Sequence, residues 1–305
     1  MNDLGGEQRR NLAAGHAMGL FTAFAWGSTY PAAKPIVDFL DPLTFSTARY
    51  LLASLVLLAV LALSGQSVHV GRRDLLPLIG LGLLGFTAFQ GLWAIALQLT
   101  SAANGAVLIA TSPLFGALLA RLGGERPRPI VWAGIALAFC GVAAIVGKGF
   151  PPDLSHGSLV GDLMFVAIAA LWALYSARSR STLARLGAVR TTAYAGLFGS
   201  LALAPFAVPG LLAQQWTSLP PALALNFFYV AMITGAIGHL TWYGGLQRLG
   251  LTRIMLYVYV QPVFGVAIAI AFLGEQLNLT QAFGILAVLA GVIVAQRGAR
   301  PAAGR

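Results

Sequence analysis

The sequence predicts an all-α integral membrane protein with ten transmembrane helices in two inverted five-helix repeats. Three observations lead there. Ten apolar stretches each approach the length needed to cross a bilayer. Hydrophobic residues make up 58% of the 305-residue chain and charged residues only 9%, too little charge to clothe a fold in water. The second half of the chain also repeats landmarks of the first.

The stretches run 12–33, 42–63, 75–97, 102–122, 130–147, 159–178, 190–209, 222–246, 252–273 and 280–296. A helix rises about 1.5 Å per residue and the hydrocarbon core is roughly 30 Å thick, so each is near spanning length. Soluble helices would show charged faces, and membrane strands would alternate over about ten residues. Neither pattern occurs. The first stretch follows Arg9 and Arg10 as a signal sequence would, but it is long, is interrupted by Trp26 to Tyr30, and has a counterpart later in the chain. It is expected to be retained as a helix. Cys140, the lone cysteine, can form no disulfide within the chain and reads as a packed-core or lipid-facing thiol.

Basic residues set an orientation. With the amino terminus cytoplasmic, sixteen fall on that side, among them Arg72, Arg73, Arg121, Arg178, Arg185, Arg248, Arg253 and Arg297. Only Lys34 and Lys148 fall on the other, and Arg49 lies inside a span. This excess predicts cytoplasmic termini. The formal charge of +10 is then a matter of topology. Scattered through short loops, these cations give no nucleic-acid surface.

Placing Gly15 on Gly161 carries Trp26 onto Trp172 and brings Tyr30 within one position of the partner of Tyr175. Trp93, Gln98, Pro113, Phe115 and Gly116 fall at one constant spacing on Trp242, Gln247, Pro262, Phe264 and Gly265. Gly134 and Gly141 fall on Gly284 and Gly291. The order of Trp, Gln and Pro marks a duplication. The first repeat is taken as 1–150 and the second as 151–305, sharing one transport core and joined by the basic stretch 178–190. Five spans per repeat invert the second relative to the first, which supplies two exchangeable shapes for alternating access.

These features together resemble the drug/metabolite transporter superfamily, specifically its EamA-type exporters. The resemblance rests on the Trp-Gly of the first span and on Pro42 followed by Phe45 and Arg49-Tyr50. It rests also on Pro113-Leu114-Phe115-Gly116 leading to Gly124-Glu125, and on Pro262-Val263-Phe264-Gly265 leading to Gly274-Glu275. The chain is most similar to bacterial inner-membrane exporters of aromatic and other amino acids. The resemblance implies a basket-like bundle whose central cavity is lined by spans one, three, four, six, eight and nine.

Several polar and aromatic residues on those spans are candidates for substrate contact. Trp26 with Tyr30, Gln90 with Trp93, and Trp172 with Tyr175 form stripes at helical spacing. His239 shares a predicted face with Trp242 and Tyr243, and Tyr257 with Gln261. Asn104, Ser112, Thr111, Ser28 and Thr29 could meet a zwitterion. Each also has a plain reading as helix packing or interfacial anchoring. His239 could line the site or simply be a hydrogen-bonded packing residue; without a mid-span carboxylate, obligatory proton carriage is the weaker role. Arg49 is read as a structural clamp to carbonyls or to Asp38 and Asp41, with direct recognition of a substrate carboxylate and snorkelling as the alternatives. Pro31, Pro113 and Pro262 are candidate gating or static kinks. Glu125 and Glu275 read as loop-edge caps.

The expected function is a secondary transporter that exports amino acids, aromatic and other apolar ones, by alternating access. A proton-coupled exporter of drugs or other amphipathic metabolites is the competing reading, since aromatic walls also take planar cations. The sequence contains no P-loop, zinc-ligand cluster, nucleophile elbow or acid–base pair, so no enzyme, cofactor or metal is expected. A channel, scramblase or membrane-embedded enzyme ranks lowest. The expected partners are a small amphipathic substrate and membrane lipid, with no nucleic acid and no obligatory protein partner.

Overall fold

Helix boundaries follow the local chemistry of the chain. The computed structural model describes residues 3–37, 39–99, 108–124, 127–146, 159–214, 216–273 and 279–298, and among them every regular element is helical. Asp41 caps the helix Pro42–Leu63: its carboxylate accepts from the Thr44 amide at 2.8 Å, while Pro42 stands in the first turn, where no N–H is required. The chain leaves that helix through Gly65 at a φ of 68°. Pro129 opens the helix Pro129–Val146 as Pro42 does its own.

Two long helical runs contain π turns. Arg72–Gly82 passes through Leu83–Ala88 in π geometry into Phe89–Leu99. Pro221–Tyr229 passes through Val230–Ile237 into Gly238–Leu249. The spacing that carries Trp93 onto Trp242 carries the first π turn into the second. A π turn closes i→i+5 bonds and so holds one residue more than an α turn, a device frequent at functional sites.

The structure corrects the sequence reading at two breaks and gives the geometry of a third, expected one. The first stretch is two helices, Asp3–Gly27 and Thr29–Val37. Ser28 separates them, its hydroxyl turned back on the Ala25 carbonyl at 2.8 Å. Pro31 has no N–H to offer the preceding turn, which weakens the helix at this point. The basic stretch 178–190 is not a loop. It is helical within Leu159–Ala213, interrupted only at Gly187 with φ 75° and ψ 171°. Gly250 adopts φ 77° and ψ 171° before the helix Leu251–Met255. Both glycines follow Arg-Leu, and both take a conformation essentially restricted to glycine. Pro113 and Pro262 do not kink a helix from within. They stand in the opening turns of Ser112–Leu122 and Gln261–Leu273, the second preceded by the 3₁₀ segment Leu256–Val260.

The chain forms two compact units, each drawing on both sequence halves. The first comprises Met1–Ser28, Ala96–Ala177 and Thr241–Arg305; the second comprises Thr29–Ile95 and Arg178–Leu240. In the first unit, Pro129–Val146 packs on Leu279–Gly298 through backbone contact. A Cβ on Gly134 would lie 2.6 Å from the Gly291 carbonyl, and one on Gly141 would lie 2.7 Å from that of Gly284. Small residues permit this close helix approach. Exchanging repeat-equivalent glycines turns the first contact into the second, as at a local two-fold. In the second unit, Gly82 meets Gly199 backbone to backbone, and Arg185 pairs with Asp74 at 2.8 Å.

Among the described residues, four helices are long and apolar enough to cross a membrane: Pro42–Leu63, Arg72–Ala96, Leu159–Ala213 and Pro221–Leu249. They turn large apolar side chains outward, with Phe206 69% and Phe228 56% exposed. Water would penalise that surface, whereas hydrocarbon does not.

Candidate functional site

Aromatic side chains on repeat-equivalent positions converge in the first unit. The indoles of Trp26, Trp172 and Trp242 close a triangle: 4.9 Å from Trp26 to Trp172, 5.2 Å from Trp26 to Trp242, and 5.1 Å from Trp172 to Trp242. Trp26 meets Trp172 edge-on at 82°, the orientation favoured by the ring quadrupoles. Trp242 is wholly buried, and its Nε1–H donates to Ser176 Oγ at 3.1 Å. Trp26 remains partly exposed and is the accessible edge of the triangle. Behind it, Tyr175 packs 5.3 Å from Trp172 and shares a hydrogen bond between hydroxyls with Tyr243.

The same unit brings the first helix against the ninth predicted span. Gly19 lies under the Tyr257 ring, where a Cβ would approach Cδ2 to 2.5 Å. That closeness lets the Tyr257 hydroxyl meet His16 Nδ1 at 2.6 Å. Thr22 and Thr241 share a hydroxyl bond of 2.7 Å. The expected common face of Tyr257 and Gln261 does not follow: Tyr257 sits in the 3₁₀ segment, where three residues make a turn, and Gln261 begins the next helix. Ser112 and Thr111 return their hydroxyls to the carbonyls of Ile109 and Leu108, at 2.6 and 2.7 Å.

A second cluster occupies the second unit and centres on Arg49, which is 3% exposed. Its Nη2 donates to the Tyr50 hydroxyl at 2.8 Å and to Gln90 Oε1 at 2.9 Å. Gln90 Nε2 donates in turn to the same hydroxyl at 2.7 Å, closing a three-residue ring of bonds. The guanidinium carbon lies 4.4 Å from the Tyr50 ring centre, 4.9 Å from Phe45 and 6.0 Å from Trp93, within cation–π range. Arg49 is therefore not clamped by Asp41, whose carboxylate caps its own helix. Asp38 lies outside the described residues.

His239 follows the second π turn, and Gln90 follows the first at the equivalent position. The His239 Nδ1 lies 2.7 Å from the Gly235 carbonyl; a carbonyl only accepts, so Nδ1 carries the hydrogen. Its ring packs against Tyr50 at 5.7 Å and Phe86 at 5.1 Å. His239 thus belongs to the second unit, while Trp242 and Tyr243 belong to the first. The predicted shared stripe divides between the two clusters.

Asn104, Glu125 and Glu275 lie outside the described residues, as do the side chains of Tyr30, Pro31 and Gln98. Sequence reasoning missed Tyr50, Phe45 and Phe86 around Arg49, and Ser176 beneath Trp242. The equivalence of Gln90 and His239 at the Trp93-to-Trp242 spacing was an available signal. Among the described residues, no three of His, Cys, Asp or Glu gather to hold a metal ion.

A family profile matches the sequence twice, over residues 13–147 and 159–296, and both matches are to EamA-like transporters. The chain belongs to the EamA-like transporter family. As an EamA-like transporter it is similar to an uncharacterized transporter of Archaeoglobus fulgidus, with 31% identity over 91% of this chain and 95% of the relative. It is 27% identical to a probable terminal-alkyne amino-acid exporter of Streptantibioticus cattleyicolor, over 91% of this chain and 92% of that protein. A crystal structure of a protein 22% identical in sequence superposes with a TM-score of 0.76, covering 93% of this chain and 96% of that one. That likeness concerns the fold alone.

Proposed function

We propose that this EamA-like transporter exports amino acids, aromatic and other apolar ones, from the bacterial cytoplasm across the inner membrane by alternating access. The tryptophan triangle carries the reading. Three indoles with one edge accessible offer a flat, polarizable surface for a ring or alkyl side chain. Paired phenols and the Ser176 hydroxyl lie within the same cluster and can complement a polar head. The amino-acid exporter among the relatives points the same way. Trp26 and Trp172 contribute to one triangle from equivalent places in the two repeats, which supports inverted halves that exchange roles. The remaining predicted contacts, Tyr30, Gln90, Trp93, Asn104, Ser112, His239, Tyr257 and Gln261, are retained as site proposals, with Pro31, Pro113 and Pro262 as gating positions.

Counterflow in proteoliposomes tests this directly, using labelled phenylalanine, tryptophan, threonine and methionine with and without a pH gradient. Saturable counterflow of phenylalanine without conductance is expected. Trp26→Ala is expected to lower phenylalanine and tryptophan flux several-fold more than threonine flux. Transport of an aromatic dication alone, driven by the pH gradient, would instead establish the drug-exporter reading. Orientation has a companion check. The sixteen-to-two basic asymmetry places a carboxyl-terminal reporter in the cytoplasm, and periplasmic activity of that reporter would refute it.

A further inference from the structure

We propose that the Arg49 guanidinium, with the Tyr50 hydroxyl beside it, is the binding site for a carboxylate carried by an organic, apolar-bodied molecule. This rests on the transporter reading and extends it to a second point of contact. Arginine has five N–H donors. Nη2 directs its donors to Tyr50 and Gln90, both neutral, while Nε and Nη1 are buried with no acceptor. All three nitrogens are thereby accounted for, and none meets a carboxylate among the described residues. Tyr50 Oη already accepts from Arg49 and from Gln90 Nε2, which leaves its own O–H to donate further.

A buried cation without a counter-charge is a poor scaffold. Its desolvation is costly, and Tyr50 and Gln90, both neutral, offer no counter-charge to offset it. The second repeat carries no cation at the corresponding place. At the Trp93-to-Trp242 spacing, Arg49 corresponds to Phe198, Tyr50 to Gly199 and Phe86 to Gly235. Phe86 packs on Gly199, and the Tyr50 ring lies 3.7 Å from a Cβ built on Gly235. The two repeats therefore make matching helix contacts, one of them with no cation. What the scaffold does not require, an anionic ligand explains. Phe45, Tyr50 and Trp93 surround the guanidinium with aromatic faces. Such walls favour a carboxylate on an apolar body over a hydrated inorganic anion.

Thermal unfolding of the purified full chain in detergent tests the assignment with 3-phenylpropionate, phenethylamine, chloride and phosphate as probes. 3-Phenylpropionate is expected to raise the wild-type midpoint, and phenethylamine at equal concentration is not. Arg49→Met is expected to unfold at or above the wild-type temperature without ligand and to lose the carboxylate response. Arg49→Lys keeps the charge but not the fork, and its apparent affinity for 3-phenylpropionate should fall roughly tenfold or more. No wild-type response, an equal response to chloride or phosphate, or an undiminished response in Arg49→Met overturns the proposal. Should Arg49→Met fail to fold, Arg49→Lys decides: weaker binding supports the site and unchanged binding refutes it. Absence of amino-acid counterflow with the carboxylate response intact refutes only the exporter reading. Counterflow in a protein whose Arg49 variants bind 3-phenylpropionate normally refutes only this one.

Discussion

Gly134→Leu is expected to prevent accumulation of a folded, monodisperse protein. A Cβ at position 134 would stand 2.6 Å from both the Ala295 nitrogen and the Gly291 carbonyl, and 2.7 Å from the Ala295 Cβ. The first two are backbone atoms of a helix and cannot swing aside as a side-chain tip would. Overpacking a well-filled interior costs roughly 1–3 kcal/mol, and a leucine wedged against backbone belongs at or beyond the top of that range. Size-exclusion profile and thermal midpoint in detergent supply the measurement. Gly80→Leu is the control, because nothing lies within 4 Å of a Cβ there. It should express and unfold as wild type does. If Gly134→Leu matched that control, the close helix contact would not be what holds this part of the first unit.

Trp242→Ala is expected to lower stability by about 3–5 kcal/mol, the usual cost of emptying a buried aromatic site. Its indole is wholly buried and loses two ring contacts together with the bond to Ser176. Trp26→Ala should cost distinctly less, because Trp26 is partly exposed. Trp242→Phe retains a ring and forfeits the N–H donor, a loss of about 0.5–1.5 kcal/mol. Denaturation midpoints of the three variants, at matched detergent and lipid, test this order. Equal losses for Trp242→Ala and Trp26→Ala would mean that burial does not rank the triangle's members.

The spans were legible because hydrocarbon demands length and apolarity, and both can be counted along a chain. The predicted 42–63 coincides with Pro42–Leu63, and 130–147 lies within one residue of Pro129–Val146. Breaks inside the spans were less visible. A uniformly apolar stretch has no polar face whose phase would betray a change of helical geometry, so the π turns and the 3₁₀ segment left no mark. Gly187 was hidden differently. The basic residues around it resemble a solvated loop, although a single glycine at φ 75° suffices to turn the chain.

The candidate sites divide along the same line. The tryptophan triangle could be anticipated because its members recur in both halves. The Arg49 ring of bonds could not, since Tyr50 and Gln90 meet across 40 positions and neither is unusual alone. Burial identified Arg49 as significant, but only side-chain geometry distinguishes a clamp to loop carboxylates from a cation held by neutral partners.

The paired π turns amount to a phase setting. Each inserts one residue ahead of the segment that carries Gln90 and Trp93 in one repeat and His239 in the other. Removing that residue would rotate everything beyond it by about 100° and draw it back by about 1.5 Å. The helix would still be long and apolar enough to span. Gln90, however, would face away from Arg49 and Tyr50, and His239 away from Phe86. One residue of angular offset therefore determines which side chains meet, at no cost to the hydrophobic length that keeps the helix in the membrane.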